Sequence, residues 1–294
     1  MRWRGRRTSS NIEDRRTGRG ARRVGGVGGV GAILVVLASL FFPEAVPVLR
    51  MLGLDGAGGG LVQGPVQTLD EPRRDDQTQF VSVVLADTET IWSEIFAAGA
   101  FERAGNRYDP AVLVLFEGGT TSPCGNASAQ SGPFYCPADG KIYIDPAFYE
   151  VMATKLKAPG DFAQAYVIAH EVAHHVQNLN GVLPAVQRRR ASLSSVEGNR
   201  LTVRVELQAD CYSGVWARRI EERERVLEEG DLNEALRAAY SVGDDILMRM
   251  SGRRVDETKF THGTAEQRAR WFKIGLQSGD IRACDTFSQP YQQL

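Results

Sequence analysis

The sequence predicts an α+β domain, mostly helical with a small β-sheet, behind an N-terminal membrane segment. Three observations support this class. Apolar residues at helical spacing dominate the second half of the chain, short strand-like runs precede them, and one uncharged stretch near the start is long enough to cross a membrane. The 294 residues are 43% hydrophobic and 24% charged, which suits one globular domain plus terminal segments.

In the first 42 residues, charged and apolar stretches follow each other as in a membrane-targeting segment. Residues 1–23 carry nine arginines, and the 19 residues of 24–42 carry no charge. A helix of that length just spans a hydrocarbon core of about 30 Å. Because arginines before an apolar stretch favour a cytoplasmic N-terminus, we predict a cytoplasmic arm at 1–23 and a single-pass transmembrane anchor at 24–42. The rest of the chain would then lie outside the bacterial cytoplasmic membrane. A cleaved signal peptide and a secreted protein are the open alternative.

The charge balance argues against a nucleic-acid partner. The formal net charge is −1, so the protein as a whole has no attraction for phosphate backbones. The arginine run lies beside an apolar segment and is explained as a topogenic signal. Membrane contact is therefore predicted through residues 24–42 alone.

The remaining elements follow from composition and periodicity. Residues 43–79 are rich in Gly, Pro and charge and are predicted as a linker, which leaves 80–294 as the folded domain. Its first helix is expected at 80–101, and two apolar runs bounded by Gly or Pro are expected as strands at 111–116 and 141–145. Further helices are expected at 161–179, 184–196, 200–229, 232–250 and 264–277.

The four cysteines, an even number, suit an oxidising compartment. Cys124 and Cys136 enclose a short loop rich in Gly, Ser, Pro and Asn, where a disulfide is expected. Cys211 and Cys284 are then left to pair with each other. Free buried thiols remain an alternative for the second pair, since four cysteines allow three connectivities.

The strongest candidate for a functional site is the segment His170-Glu171-Val172-Ala173-His174. Histidines four residues apart on a helix project from one face and can share one metal ion. Glu171 lies about 100° around the helix from His170, so it is placed to reach a water at the metal rather than the metal itself. Apolar neighbours would bury this helix, and a metal partner offsets the cost of burying two histidines.

A third ligand is needed, because catalytic zinc usually takes three protein ligands and leaves one position open. His175 points away from His174 and is interpreted as a bystander or a support for the ligands. Glu206, on a later helix, is the candidate ligand, and Asp210 lies one turn beyond it, where it could orient one imidazole.

These residues resemble a known family. His170, His174, Glu206 and Asp210 resemble the gluzincins, zinc peptidases with two histidines and a downstream Glu-x-x-x-Asp. The arginine-rich start, Gly132-Pro133-Phe134-Tyr135-Cys136-Pro137, the 206–211 run and His262-Gly263-Thr264 resemble the bacterial putative neutral zinc metallopeptidase family over nearly the whole chain. The resemblance implies a zincin-like fold, zinc as cofactor, His170, His174 and Glu206 as ligands, and Glu171 as the base.

The predicted function is a membrane-anchored, zinc-dependent endopeptidase acting on peptides or proteins. His262 precedes the last helix and is proposed to stabilise the oxyanion, as a downstream histidine does in the gluzincins; Arg268 is a weaker substitute. The alternative is a non-catalytic zinc-binding module that recognises a partner. The presence of Glu171 favours the enzyme, because a structural zinc needs no base. The sequence indicates neither the substrate nor the oligomeric state.

Overall fold

The computed structural model describes residues 1–16, 73, 75–101, 104–128 and 132–294. Its main sheet has the strand order β1 (Ile12–Asp14), β2 (Val112–Leu115), β6 (Lys141–Ile144), β5 (Phe134–Cys136). The first three strands run parallel, and β5 is antiparallel to β6. A separate hairpin joins β3 (Gly119–Ser122) to β4 (Gly125–Ser128).

Helices make up most of the rest, which confirms the α+β class. In chain order they are α1 (Asp76–Ala97), α2 (Ala147–Thr154), α3 (Asp161–Leu179), α4 (Val182–Arg190), α5 (Ser195–Glu224), α6 (Asp231–Ser241), α7 (Asp244–Met250) and α8 (Ala265–Ser278). Short 3-10 helices occur at Glu257–Lys259, Ile281–Cys284 and Tyr291–Gln293.

The bounds of α3 agree with the sequence, and two other helical predictions need correction. The predicted helix 184–196 ends at Arg190, because Ser194 and Glu197 form a capping box that starts α5. The predicted helix 232–250 is divided into α6 and α7 at Gly243. A Cβ there would collide with the backbone of Ala265, so only glycine permits this approach to α8.

Helix α3 lies at the centre of the core. It contacts β5 and β6 on one side and α1, α5 and α6 on the others. Its own side chains Phe162, Ile168, Val172 and Val176 are fully buried. Burying each such side chain contributes roughly 1.5–3 kcal/mol, so α3 is held in place by the best-packed part of the molecule.

Helices α5 and α8 approach each other unusually closely. A Cβ on Gly214 would collide with the backbone of Phe272, and one on Gly275 would collide with the backbone of Cys211. Cys211 also forms a disulfide with Cys284, just after α8. The two helices therefore act as one rigid support.

The N-terminal residues 1–16 belong to the same folded unit, which corrects the predicted domain boundaries. β1 extends the sheet beside β2, and Trp3 packs edge-on against Phe80 of α1. The predicted linker also ends earlier, because α1 begins at Asp76 rather than Phe80. A single membrane crossing at 24–42 would separate residues 1–16 from this unit. The packing and the predicted single-pass topology therefore make opposite predictions for the side of the membrane on which residues 1–16 lie.

The arginines of this segment are paired with carboxylates of the fold. Arg16 and Asp14 form a buried ion pair with a closest distance of 2.6 Å, and Arg16 also contacts Asp75. Further pairs join Arg6 to Asp87 at 2.6 Å, Arg7 to Glu89 at 3.1 Å and Arg4 to Asp76 at 3.1 Å. These arginines thus hold residues 1–16 to the fold through ion pairs, in addition to their predicted role in setting membrane topology.

The predicted anchor 24–42 and most of the predicted linker lie outside the described residues. Among the helices that the structure does describe, none has the length and hydropathy needed to cross a membrane.

Candidate metal centre

Three of the predicted ligands converge between α3 and α5. His170 and His174 lie one turn apart on α3, with ring centroids 4.8 Å apart, and Glu206 faces them from α5. Nε2 of His170 is 3.1 Å from Oε2 of Glu206, and Nε2 of His174 is 3.5 Å from Oε1. All three side chains are at most 13% exposed. The donor atoms therefore point into one shielded space.

The donor set and spacing fit zinc. Two imidazoles and one carboxylate are ligands of catalytic zinc sites, and tetrahedral bonds of about 2.0–2.1 Å hold ligand atoms about 3.3 Å apart. The two measured separations fall on either side of that value. The structure thus brings together His170, His174 and Glu206 in a geometry that accepts a divalent cation.

The electrostatics of the site also favour a cation. Burial alone would lower the pKa of His170, but the charges of Asp210 and Glu206 raise it to about 9. Burial would raise the pKa of Glu206, yet the neighbouring histidines hold it well below its ordinary range. The carboxylates are therefore ionised and attract positive charge to the point where the ligands meet.

Asp210 lies behind His170, as predicted. Its Oδ1 is 2.9 Å from Nδ1 of His170, on the side of the ring opposite the ligand atom. The same carboxylate accepts a hydrogen bond from Tyr166 and a two-pronged contact from Arg268 at 2.9 and 3.0 Å. Burial would raise the pKa of Asp210, but Arg268 and His170 keep it below its ordinary value. The carboxylate of Asp210 is thus placed against Nδ1 of His170, where its charge can orient the ring.

The hydrogen-bonding groups of Arg268 are therefore occupied by these contacts. Its guanidinium is 4% exposed and is bound to Asp210 and Tyr166. The suggestion that Arg268 could replace His262 as an oxyanion donor is not supported, because its buried guanidinium is already bound to these two groups.

Glu171 lies on α3 next to His170 and is 8% exposed. Within the described part of the chain, its carboxylate makes no hydrogen bond or ion pair with another side chain. A general base needs an unengaged carboxylate close to the reacting water, and Glu171 meets the first of these conditions.

His262 is brought to the same region by the loop between α7 and α8. Asp244 accepts hydrogen bonds from the backbone N–H groups of Thr261 and His262, both at 2.7 Å, and lies 3.0 Å from Nδ1 of His262. Burial would lower the pKa of His262, but the charges of Asp244 and Glu206 raise it. Glu206 and His262 are therefore within electrostatic reach of each other, and Asp244 fixes the orientation of the ring.

His175 lies outside the centre, which agrees with its interpretation as a bystander. Its Nε2 donates to the carbonyl of Asp109 at 2.7 Å, and its Nδ1 is 3.1 Å from the hydroxyl of Tyr135. Burial lowers its pKa. His175 joins α3 to the sheet.

Both predicted disulfides are present. Cys124 is bonded to Cys136 and Cys211 to Cys284, so no cysteine of the chain is free.

Several supporting residues escaped the sequence analysis. Tyr166 lies four residues before His170, on the same helical face, and this spacing could have indicated it. Gln177 contacts His174 from three residues further along, another helical spacing. Asp244 had no local signal, because it lies 18 residues before His262 and contacts it only in the folded chain.

Comparison with known proteins identifies a family whose description names zinc. The model of the family described as Putative neutral zinc metallopeptidase matches residues 1–287. The uncharacterized protein YpfJ of Escherichia coli (strain K12) is 45% identical over 98% of this chain and 99% of its own length. The uncharacterized protein Rv2575 of Mycobacterium tuberculosis (strain H37Rv) is 38% identical over 81% of this chain and 84% of its own. No solved structure matches.

Proposed function

The chain belongs to the Putative neutral zinc metallopeptidase family, and from this premise we propose that it is a zinc-dependent endopeptidase. One observation carries the proposal. Two imidazoles and the carboxylate of Glu206 converge in a buried site. Glu171, the residue after His170 on the same helix, is unengaged by any described side chain. A structural zinc site would normally offer four protein ligands and would need no adjacent base.

His170, His174 and Glu206 would hold the metal. Zinc in such a site acts as a Lewis acid, which lowers the pKa of water and polarises a peptide carbonyl. Asp210 and Gln177 each contact the Nδ1 of one histidine, so both rings present Nε2 to the site.

Glu171 accepts the proton of the attacking water and delivers it to the leaving amine. Because no described side chain forms an ion pair with it, the carboxylate is available for both steps. His262 donates a hydrogen bond to the oxyanion of the tetrahedral intermediate, and Asp244 holds its ring for this purpose.

Strand β5 offers a place for an extended peptide. It is an edge strand of the described sheet and lies against α3, where Tyr135 contacts His175 and Asn178. The backbone of an edge strand can pair with that of a peptide whatever its side chains. This supports an endopeptidase that binds an internal stretch of its substrate.

We further propose that the enzyme works in an oxidising compartment, since two disulfides stabilise it. Anchoring by residues 24–42 remains a prediction from their hydropathy.

Digestion of a peptide library with and without a chelator tests the proposal. The zinc-loaded protein should cleave internal bonds, the chelated protein should not, and added zinc should restore cleavage. A protein that binds zinc in this site but cleaves nothing would favour the alternative, a zinc-binding module that recognises a partner.

A further inference from the structure

A line of buried amide groups connects the metal ligand His174 to the disulfide Cys211–Cys284. Nδ1 of His174 lies 2.9 Å from Oε1 of Gln177. The amide nitrogen of Gln177 donates to Oε1 of Gln208 at 3.0 Å, and the amide nitrogen of Gln208 donates to the carbonyl oxygen of Cys284 at 3.1 Å. Each link therefore joins a donor to an acceptor, from the imidazole to the C-terminal turn.

Burial makes the hydrogen bonds of this line hard to replace. Gln177 is fully buried and Gln208 is 7% exposed, so lost partners could not simply be replaced by bulk water. Gln177 donates a second hydrogen bond to the carbonyl oxygen of Val205 at 2.8 Å, which fixes its amide plane. With its oxygen facing His174, Gln177 requires the proton of that imidazole to lie on Nδ1. This tautomer leaves Nε2, the atom that faces Glu206, as the ligand atom.

The far end of the line depends on a covalent bond. Cys284 ends the short helix Ile281–Cys284, and its disulfide to Cys211 fixes that turn against α5. Thr286 adds a hydrogen bond of 2.7 Å to the carbonyl of Arg204 on the same helix. Cys211 itself lies five residues after Glu206, so the bond clamps the helix that supplies the carboxylate ligand.

We propose that Gln177 and Gln208 are positioning residues for His174, and that the Cys211–Cys284 disulfide holds the acceptor on which they depend. Closure of this disulfide then sets the metal affinity of the centre. The proposal rests on the metal site of the proposed function but not on peptide hydrolysis.

The full-length oxidised protein provides the test, with Zn²⁺ affinity and the visible spectrum of the Co²⁺-loaded protein as readouts. Gln208→Met keeps the size of the side chain but removes both hydrogen bonds, and should weaken zinc binding by about 10–100-fold, as loss of groups that orient metal ligands does. The ligand-field bands of Co²⁺ should shift, because His174 is released from one orientation. The double variant Cys211→Ala/Cys284→Ala should also bind zinc more weakly than the wild type.

The other disulfide is the matched control. Cys124→Ala/Cys136→Ala removes a bond of the same kind that supplies no hydrogen-bond partner to Gln177 or Gln208, and should leave zinc affinity and the Co²⁺ spectrum unchanged. Combining Gln208→Met with Cys211→Ala/Cys284→Ala should lower zinc affinity little more than the more damaging of the two changes does alone. Both changes act on the same line of hydrogen bonds, so their effects should not add.

The outcomes separate the two proposals. Wild-type affinity and spectrum in folded Gln208→Met overturn the positioning role, even if the cysteine variant fails to fold. Equal losses for the two disulfide variants overturn the special role of Cys211–Cys284. Absence of zinc from the wild-type centre would instead refute the metal site itself.

Discussion

Removal of the Arg16 side chain should destabilise the whole domain. Arg16 is 6% exposed and is paired with Asp14, which is fully buried. It also donates to Thr78 at 2.5 Å, the residue that Asp75 caps at the start of α1. Arg16→Met leaves the carboxylate of Asp14 buried without its main partner, which typically costs about 3–5 kcal/mol. At roughly 2–4 °C per kcal/mol for a domain of this size, the Tm should fall by about 6–20 °C.

The stabilisation by the Arg16–Asp14 pair should depend on pH in a defined direction. Burial would raise the pKa of Asp14, but its bonds to Arg16 and to backbone N–H groups lower it. The stabilisation is therefore fully present above the unfolded pKa of about 3.9 and is lost as the pH falls through the lower folded value. The difference between wild type and Arg16→Met should shrink below pH 4.

Thermal and urea unfolding followed by circular dichroism measure both effects. Arg4→Met is the control, because Arg4 and Asp76 are 68% and 76% exposed and such a pair contributes less than about 1 kcal/mol. Equal, small losses for Arg16→Met and Arg4→Met would refute the conclusion that residues 1–16 are part of the fold.

Three further predictions follow from the site and the packing. Dialysis against a strong chelator should lower the Tm and abolish cleavage, and zinc should restore both in calorimetry and peptide assays; an unchanged Tm would argue against a metal that binds the folded state. His262→Ala should lower kcat by about 10²–10³-fold with zinc content unchanged, with a smaller loss for Asp244→Asn; wild-type kcat in both would remove His262 from the mechanism. Cysteines introduced at the exposed Ser10 and Arg254 should be labelled by an impermeant maleimide from the same side of the membrane; labelling from opposite sides would support the single-pass topology instead.

The arrangement of the His170–His174 motif was predictable because its geometry is local. His170, Glu171 and His174 lie within two turns of one helix, so the period of 3.6 residues fixes their relation. The lack of a further nearby histidine indicated a carboxylate as the third ligand, and the resemblance to the gluzincins implied Glu206. The orienting contacts could be predicted only in part. Asp210 follows from its spacing to Glu206, whereas Asp244 reaches His262 across a tertiary contact that no local pattern records.

The parts of the fold that escaped prediction are short or depend on distant partners. β1 has three residues and lies inside the arginine run, so its charge pattern concealed a strand that β2 stabilises. β5 also has three residues and lacked an alternating pattern long enough to detect. The break at Gly243 depends on the approach of Ala265, which belongs to another helix.

The most direct test of the central claim is a paired measurement on Glu171→Gln. Glutamine has the shape of the native side chain but cannot accept the proton of the attacking water. The variant should bind one zinc per chain, measured by elemental analysis, and should show no cleavage of peptides that the wild type hydrolyses. Retained cleavage in zinc-loaded Glu171→Gln would contradict the account.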